Sequence, residues 1–290
     1  MRDSTRGAQL MLLSGAAFAA MGACVRLAGE RGIPVLEIIA VRAAISLALS
    51  ALAAWRRRVP LLGRRRGLLL ARGAVGFASL AAFYYALVHL PLAEATLLQY
   101  LHPMFTALLA FLLLGERPGL GALLCTALSL AGLAAMAVPA VGSGAEWPAL
   151  AVAAGVAGAL GSGLAYTLVR RLAASEDPAV IVLYFPLVCL PATLLLGWRD
   201  FVWPSGSTWG ILVLVGVFTQ LGQVALTRAM QVETAARATA FSYSQVVFAA
   251  LLGGWLFGEW PDGRTLAAGA LILAGAVANL LCRPAPGVGR

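Results

Sequence analysis

Two pairs of side chains stand at matching positions along the chain: Tyr100 with His102, and Tyr243 with Gln245. Each pair sets an aromatic hydroxyl beside a second hydrogen-bonding group inside an otherwise apolar run. Polar side chains in such runs are costly and usually face a protein interior or a water-filled cavity. Gln220 and Gln223 add two amides about one helical turn apart, on one face. Tyr84, with its neighbour Tyr85, and Tyr166 extend the aromatic surface; at least one of the adjacent tyrosines must point away from any shared cavity. Together these groups suit hydrogen bonding to, and stacking against, a small molecule. His102 is also a candidate proton carrier, because imidazole titrates near physiological pH. Packing is the competing reading at each position, with tyrosine, histidine and glutamine serving as hydrogen-bond ties between helices.

The remaining reactive side chains exclude several chemistries. All 21 cations are arginine, so no lysine is present for a Schiff base. His89 and His102 are the only histidines, and there is no HExxH run, paired aspartate or GxxxxGK[ST] phosphate loop. An intramembrane enzyme therefore lacks its expected machinery, and ATP-driven transport lacks its nucleotide site. Cys24, Cys125, Cys189 and Cys282 lie on separate apolar runs without CxxC spacing. They read as small packing residues, with no disulfide, metal site or cofactor expected. Glu37 and Glu94 fall near the outer ends of two apolar runs, with Arg42 about one and a half turns deeper than Glu37. An ion pair involving Arg42 would offset the cost of a charge at that depth, as a gate or as a structural tie.

The elements that must position these groups follow from composition. Hydrophobic residues make up 61% of the chain and charged residues 11%, and mean hydropathy is +0.89. A soluble domain carries about 25% charge, so this chain is read as an integral membrane protein. Runs of about 20 apolar residues predict ten membrane-spanning helices: 8–28, 34–54, 68–88, 93–114, 120–138, 149–170, 179–197, 208–229, 235–257 and 264–282. The first imitates a secretory signal, but its apolar stretch runs on, and an uncleaved span is expected. Pro139–Pro148 separates two groups of five, giving repeat units at 1–140 and 148–290. Pro103 predicts a kink in the fourth span.

The two groups are related by descent within the chain. Phe83–Met136 aligns without a gap to Leu226–Asn279, 143 residues later, with 20 of 54 positions identical. Leu113-Leu114-Gly115-Glu116-Arg117-Pro118 matches Leu256-Phe257-Gly258-Glu259-Trp260-Pro261, and these Gly-Glu-x-Pro turns read as helix ends. The register pairs Tyr100 with Tyr243 and His102 with Gln245. It pairs Pro103 with Val246, so the kink is expected in one copy only, and Glu94 with Arg237. An odd number of spans per copy turns the duplication into an inverted repeat, whose midplane is where substrate should bind. Arginines set the orientation: with both termini in the cytoplasm, inside segments collect Arg56, Arg57, Arg58, Arg64, Arg65, Arg66, Arg117, Arg170 and Arg171 among others, while outside loops hold Arg31, Arg199 and Arg264. The net charge of +9 thus reflects topology, and no nucleic-acid partner is expected.

These features together resemble the ten-helix EamA-type branch of the drug/metabolite transporter superfamily. The residues carrying the resemblance are Ala86-Leu87, Leu90-Pro91-Leu92-Ala93-Glu94-Ala95-Thr96, Pro103 and Gly115-Glu116. In the second copy they are Gly222-Gln223, Ala225, Arg228-Ala229 and Phe248 through Gly258-Glu259, with Glu37 and Arg42 added from the second span. The resemblance implies an all-α fold of two inverted five-helix repeats. It also implies a secondary transporter, an exporter by expectation, moving an amino acid, nucleotide derivative, vitamin or drug-like compound across the inner membrane by alternating access. Aromatic groups with amides suit a zwitterionic or aromatic metabolite better than a multiply charged anion, although Arg42 is placed to receive a carboxylate. An intramembrane enzyme, a channel and a structural membrane protein are the alternatives. Proton coupling through His102 and a monomeric or homodimeric state complete the expectations.

Overall fold

The computed structural model describes residues 2–89, 98–141, 148–258, 260 and 263–282. Among these residues ten helices carry the fold, with no strand. They are α1 (Arg2–Glu30), α2 (Val35–Arg56), α3 (Arg66–His89), α4 (His102–Leu114), α5 (Leu120–Val141), α6 (Ala149–Ala173), α7 (Pro178–Gly197), α8 (Gly206–Val232), α9 (Ala235–Phe257) and α10 (Gly263–Leu281). Lipid supplies no hydrogen-bond partner for the backbone, so spanning segments must satisfy their own N–H and C=O groups, which a helix does. Seven of the helices are long and apolar enough to span, and three shorter apolar stretches, His102–Leu114, Leu120–Gly132 and Leu266–Leu281, complete the set. Leu112, Leu195 and Leu281 point outward, and Trp55, Trp198, Trp203, Trp255 and Trp260 are exposed at or just beyond helix ends. That distribution fits a lipid-facing belt with aromatic residues at its borders.

Helix packing has two-fold symmetry. α1 runs along α8 as α6 runs along α3, α1 meets α9 as α6 meets α4, and α2 meets α8 as α7 meets α3. α2 packs on α7, and α5 packs on α10. Exchanging each helix with the one five places on leaves this set of pairs unchanged. With five spans per copy, the exchange also reverses direction across the membrane, so the bundle is a 5+5 inverted repeat.

Close crossings obey the same register. A Cβ at Gly132 would come within 2.9 Å of the Ala268 carbonyl, and one at Gly275 within 3.0 Å of the Cys125 Cα. Gly132 and Gly275 are repeat mates, as are Cys125 and Ala268, so the α5–α10 crossing is one contact made twice. Gly73 against Val188 and Gly216 against Ile45 form a second such pair, on the α3–α7 and α8–α2 crossings and outside the segment aligned by sequence. Without a hydrophobic force between helices in lipid, close packing of small residues supplies much of the attraction.

The helix ends and breaks refine the expectations. Gly115 and Gly258 close α4 and α10's predecessor α9 in the left-handed region, at φ 69° and 70°, as the Gly-Glu turns predicted. Pro103 does not kink a continuous helix: it lies in the first turn of α4, after a separate turn at Leu98–Leu101. The break is not confined to one copy either. α9 is interrupted in the same register by the 3-10 turn Phe241–Tyr243, where Ser242 and Ser244 hydroxyls donate to the Thr239 and Phe241 carbonyls at 2.6 and 2.7 Å. Serines occupy carbonyls in the second copy where proline withholds a donor in the first.

Gly132→Val and Gly275→Val should each destabilise the bundle, by about 1–3 kcal/mol for overpacking against backbone. Gly269→Ala, where an added Cβ meets nothing within 4 Å, should not. Thermal melting of detergent-purified protein checks this, and equal melting temperatures for all three variants would dismiss the crossing argument.

Candidate functional site

A cavity of 350 Å³ lies between the two copies and is lined, among the described residues, from every helix except α5 and α10. The turn that opens α4 places Tyr100 and His102 on its wall, α6 contributes Tyr166, and α9 contributes Gln245. The Tyr100 and His102 rings stand 6.2 Å apart, and the His102 and Tyr166 rings 5.2 Å apart. α1, α3 and α7 add the apolar walls Phe18, Leu80, Phe83 and Phe185.

The broken helices explain how these side chains are held. Pro103 has no N–H to give the Gln99 carbonyl, and the His102 ring takes that acceptor through Nδ1 at 3.0 Å. Because a carbonyl only accepts, Nδ1 carries the hydrogen. Nε2 then lies 3.4 Å from the Ser242 hydroxyl, on the second copy. The Tyr100 carbonyl accepts the Tyr243 hydroxyl at 3.0 Å, and the two rings stack at 6.0 Å. The repeat-related tyrosines thus touch each other across the two-fold, but in different roles. Tyr100 lines the cavity, while Tyr243 is 0% exposed and stands behind it.

Other predicted site residues separate in the same way. Gln223 lines the cavity. Gln220 does not: its Oε1 accepts from Ser46 at 2.6 Å and its Nε2 donates to Ser50 at 2.8 Å, tying α8 to α2. Glu37 is buried and accepts the Val202 N–H at 2.8 Å. It is therefore not the partner of Arg42, which turns into the cavity, contacts the Met21 sulfur at 3.8 Å and lies 5.9 Å from the Phe185 ring centroid. The α2 helix presents Glu37 and Arg42 to different neighbours, so their proximity in sequence does not become an ion pair. Glu94 and the side chain of Tyr84 lie outside the described residues.

Sequence reasoning missed the most consequential lining residue. Arg72, on α3, is 3% exposed and lies on the cavity wall. Its Nη2 donates to Gln223 Oε1 at 3.1 Å, and its guanidinium sits 5.0 Å from the Phe185 ring centroid. Nε and Nη1 have no hydrogen-bond partner among the described residues. The signal was available, since an arginine four residues inside the expected span 68–88 carries a cost in lipid, as Arg42 does. Gln99, Ser79 and Ser162 also line the cavity unannounced; Ser79 bonds Ser162 at 2.7 Å, and Gln99 donates to Ser162 at 3.1 Å.

Comparison with known proteins gives a consistent family. A model of the EamA-like transporter family matches residues 5–138 and again 149–281. The pseudopaline exporter CntI of Pseudomonas aeruginosa is 35% identical over 274 residues, covering 94% of this chain and 95% of that protein. A riboflavin transporter of Vibrio cholerae is 28% identical over 279 residues, covering 92% and 90%. One solved crystal structure, 24% identical, superposes with a TM-score of 0.77 over 91% of this chain and 94% of that one, which establishes a shared fold.

The unequal tyrosines make a test. Tyr243→Phe keeps the ring stack but orphans the Tyr100 carbonyl, which should cost about 1–3 kcal/mol and lower the melting temperature in detergent. Tyr100→Phe, whose hydroxyl has no partner among the described residues, should melt like the parent. Indistinguishable melting of the two variants would remove the distinction.

Proposed function

Because the chain belongs to the EamA-like transporter family, we propose that it works as a secondary carrier around this one cavity, with residues 1–140 and 148–290 as the two moving units. It is a multi-pass membrane transporter of small molecules. The observation that carries the alternating-access reading is that both copies line the cavity while two ion pairs, Glu116 with Arg170 and Asp177 with Arg57, join the copies on one face. On that face the loop after α4, the end of α6 and the start of α9 meet. Glu116 accepts Arg170 Nε at 2.6 Å and the Ala235 N–H at 2.9 Å, while Arg170 Nη1 donates to the Met230 carbonyl at 2.6 Å. Glu176 takes the Arg64 and Arg65 N–H groups at 2.8 and 2.6 Å. The Glu116 and Glu176 contacts join the first copy to the second, so they must break for the cavity to open there.

The arginine distribution supports assigning this face to the cytoplasm of the inner membrane, with both termini on it. Export is the direction we favour, in keeping with the relative named as a pseudopaline exporter. A neutral His102 with Nε2 toward the second copy is positioned to carry a proton between states, and a single chain completes the cavity, so a monomer suffices for transport. Arg42 remains the charged candidate on the outer half of the path.

In proteoliposomes, saturable counterflow of a labelled substrate without ATP should appear, stimulated by a pH gradient if His102 couples. Glu116→Gln should loosen the tied face. In a variant lacking the four native cysteines, Ala165→Cys on the cavity wall should then react several-fold faster with an impermeant maleimide added from the cytoplasmic side. An unchanged rate would refute the tie as a gate.

A further inference from the structure

The charge of the cavity is one-sided. Arg42 and Arg72 both line it, and among the described lining residues there is no Asp or Glu. Neither guanidinium has a carboxylate partner among the described residues. Arg42 makes a 3.8 Å contact to the Met21 sulfur, a weak acceptor, and Arg72 gives one of its nitrogens to the neutral amide of Gln223. Two further nitrogens of Arg72 have no hydrogen-bond partner among the described residues, although the residue is 3% exposed. Unpaired buried cations at membrane depth are expensive and persist where something binds them. The register sharpens the point, since Arg42 and Arg72 both belong to the first copy. Their repeat mates are Phe185, which both guanidiniums face, and Val215.

We propose that the carrier's substrate is a small organic dicarboxylate with an apolar or aromatic body, its two acid groups received by Arg42 and Arg72. This rests on the carrier reading and names its substrate class. Arginine's planar fork matches carboxylate geometry. The two guanidiniums lie 5.9 and 5.0 Å from one ring centroid, so they are at most about 11 Å apart. They reach toward different helices, Arg42 toward α1 and Arg72 toward α8, which separates the positive charge into two poles rather than pooling it on one group. A monoanion leaves one guanidinium uncompensated; a dianion neutralises both. Tyr100, His102 and Tyr166 line the same cavity with aromatic rings, which accommodate the body of the molecule.

A charge series of phenyl-bearing compounds tests this: phenylsuccinate, its dimethyl ester, 3-phenylpropionate, phenylphosphonate and phenethylamine. Binding is measured by calorimetry on detergent-purified full-length protein, and transport by counterflow in proteoliposomes. Phenylsuccinate should bind at least tenfold more tightly than 3-phenylpropionate, and the diester and amine should not compete. Arg42→Gln and Arg72→Gln should each collapse that preference to about threefold or less, with Arg→Lys at either position recovering part of it in protein that remains monodisperse. Equal binding of the diester, a preference for the amine or the phosphonate, or an unchanged preference in both glutamine variants would overturn the dicarboxylate assignment. Counterflow of the amine or diester would do so while leaving the carrier reading intact. Tight phenylsuccinate binding without counterflow of any member would leave the acid site standing and overturn the carrier.

Discussion

A helix that stops inside a bilayer leaves carbonyls that lipid cannot satisfy, and the organisation of this protein follows from how two such stops are resolved. α4 begins at His102 after a separate turn, and α9 is interrupted at Phe241–Tyr243 in the same register. The freed acceptors are met by side chains: His102 takes the Gln99 carbonyl, Tyr243 takes that of Tyr100, and two serines take those of Thr239 and Phe241. The first two of these bonds also hold cavity-lining residues, His102 with Gln99 and Tyr100. The backbone's demand for partners therefore positions the aromatic wall as a by-product of stability.

The inverted repeat makes this economical, because one crossing geometry serves twice. Gly132 on Ala268 and Gly275 on Cys125 repeat a single contact, as do Gly73 with Val188 and Gly216 with Ile45. Symmetry of the frame coexists with asymmetry of the lining. Phe185 stands where the register would place a second Arg42, Ser242 where it would place a second Gln99, and Gln245 in place of a second His102. A symmetric frame that carries an asymmetric site suits the alternating access proposed above.

Much of this was legible in the residues alone. Hydropathy and the 143-residue repeat were enough for ten spans in two inverted copies, because lipid forces helices and an odd span count forces inversion. Tyr100, His102, Tyr166, Gln223 and Gln245 were named from their depth in apolar runs, and all line the cavity. Gln220 has the same type, depth and helix face as Gln223, yet Ser46 and Ser50 consume its amide on a neighbouring helix. Helical periodicity says which residues share a stripe but not which neighbour that stripe meets.

The same limit governs charge. The sequence by itself determined that Arg42, at membrane depth, would need a partner, since a charge inside the bilayer is costly unless something pairs with it. Which partner it would have was decided by tertiary structure. Glu37, five residues from Arg42, is spent on the Val202 N–H, while Arg42 and Arg72, from different helices, converge on one phenyl ring. Hydropathy, the repeat and the orienting arginines are local or additive along the chain and can be read from it. The convergence of two cations depends on how α2, α3 and α7 rotate against one another, and that is settled only when the helices pack.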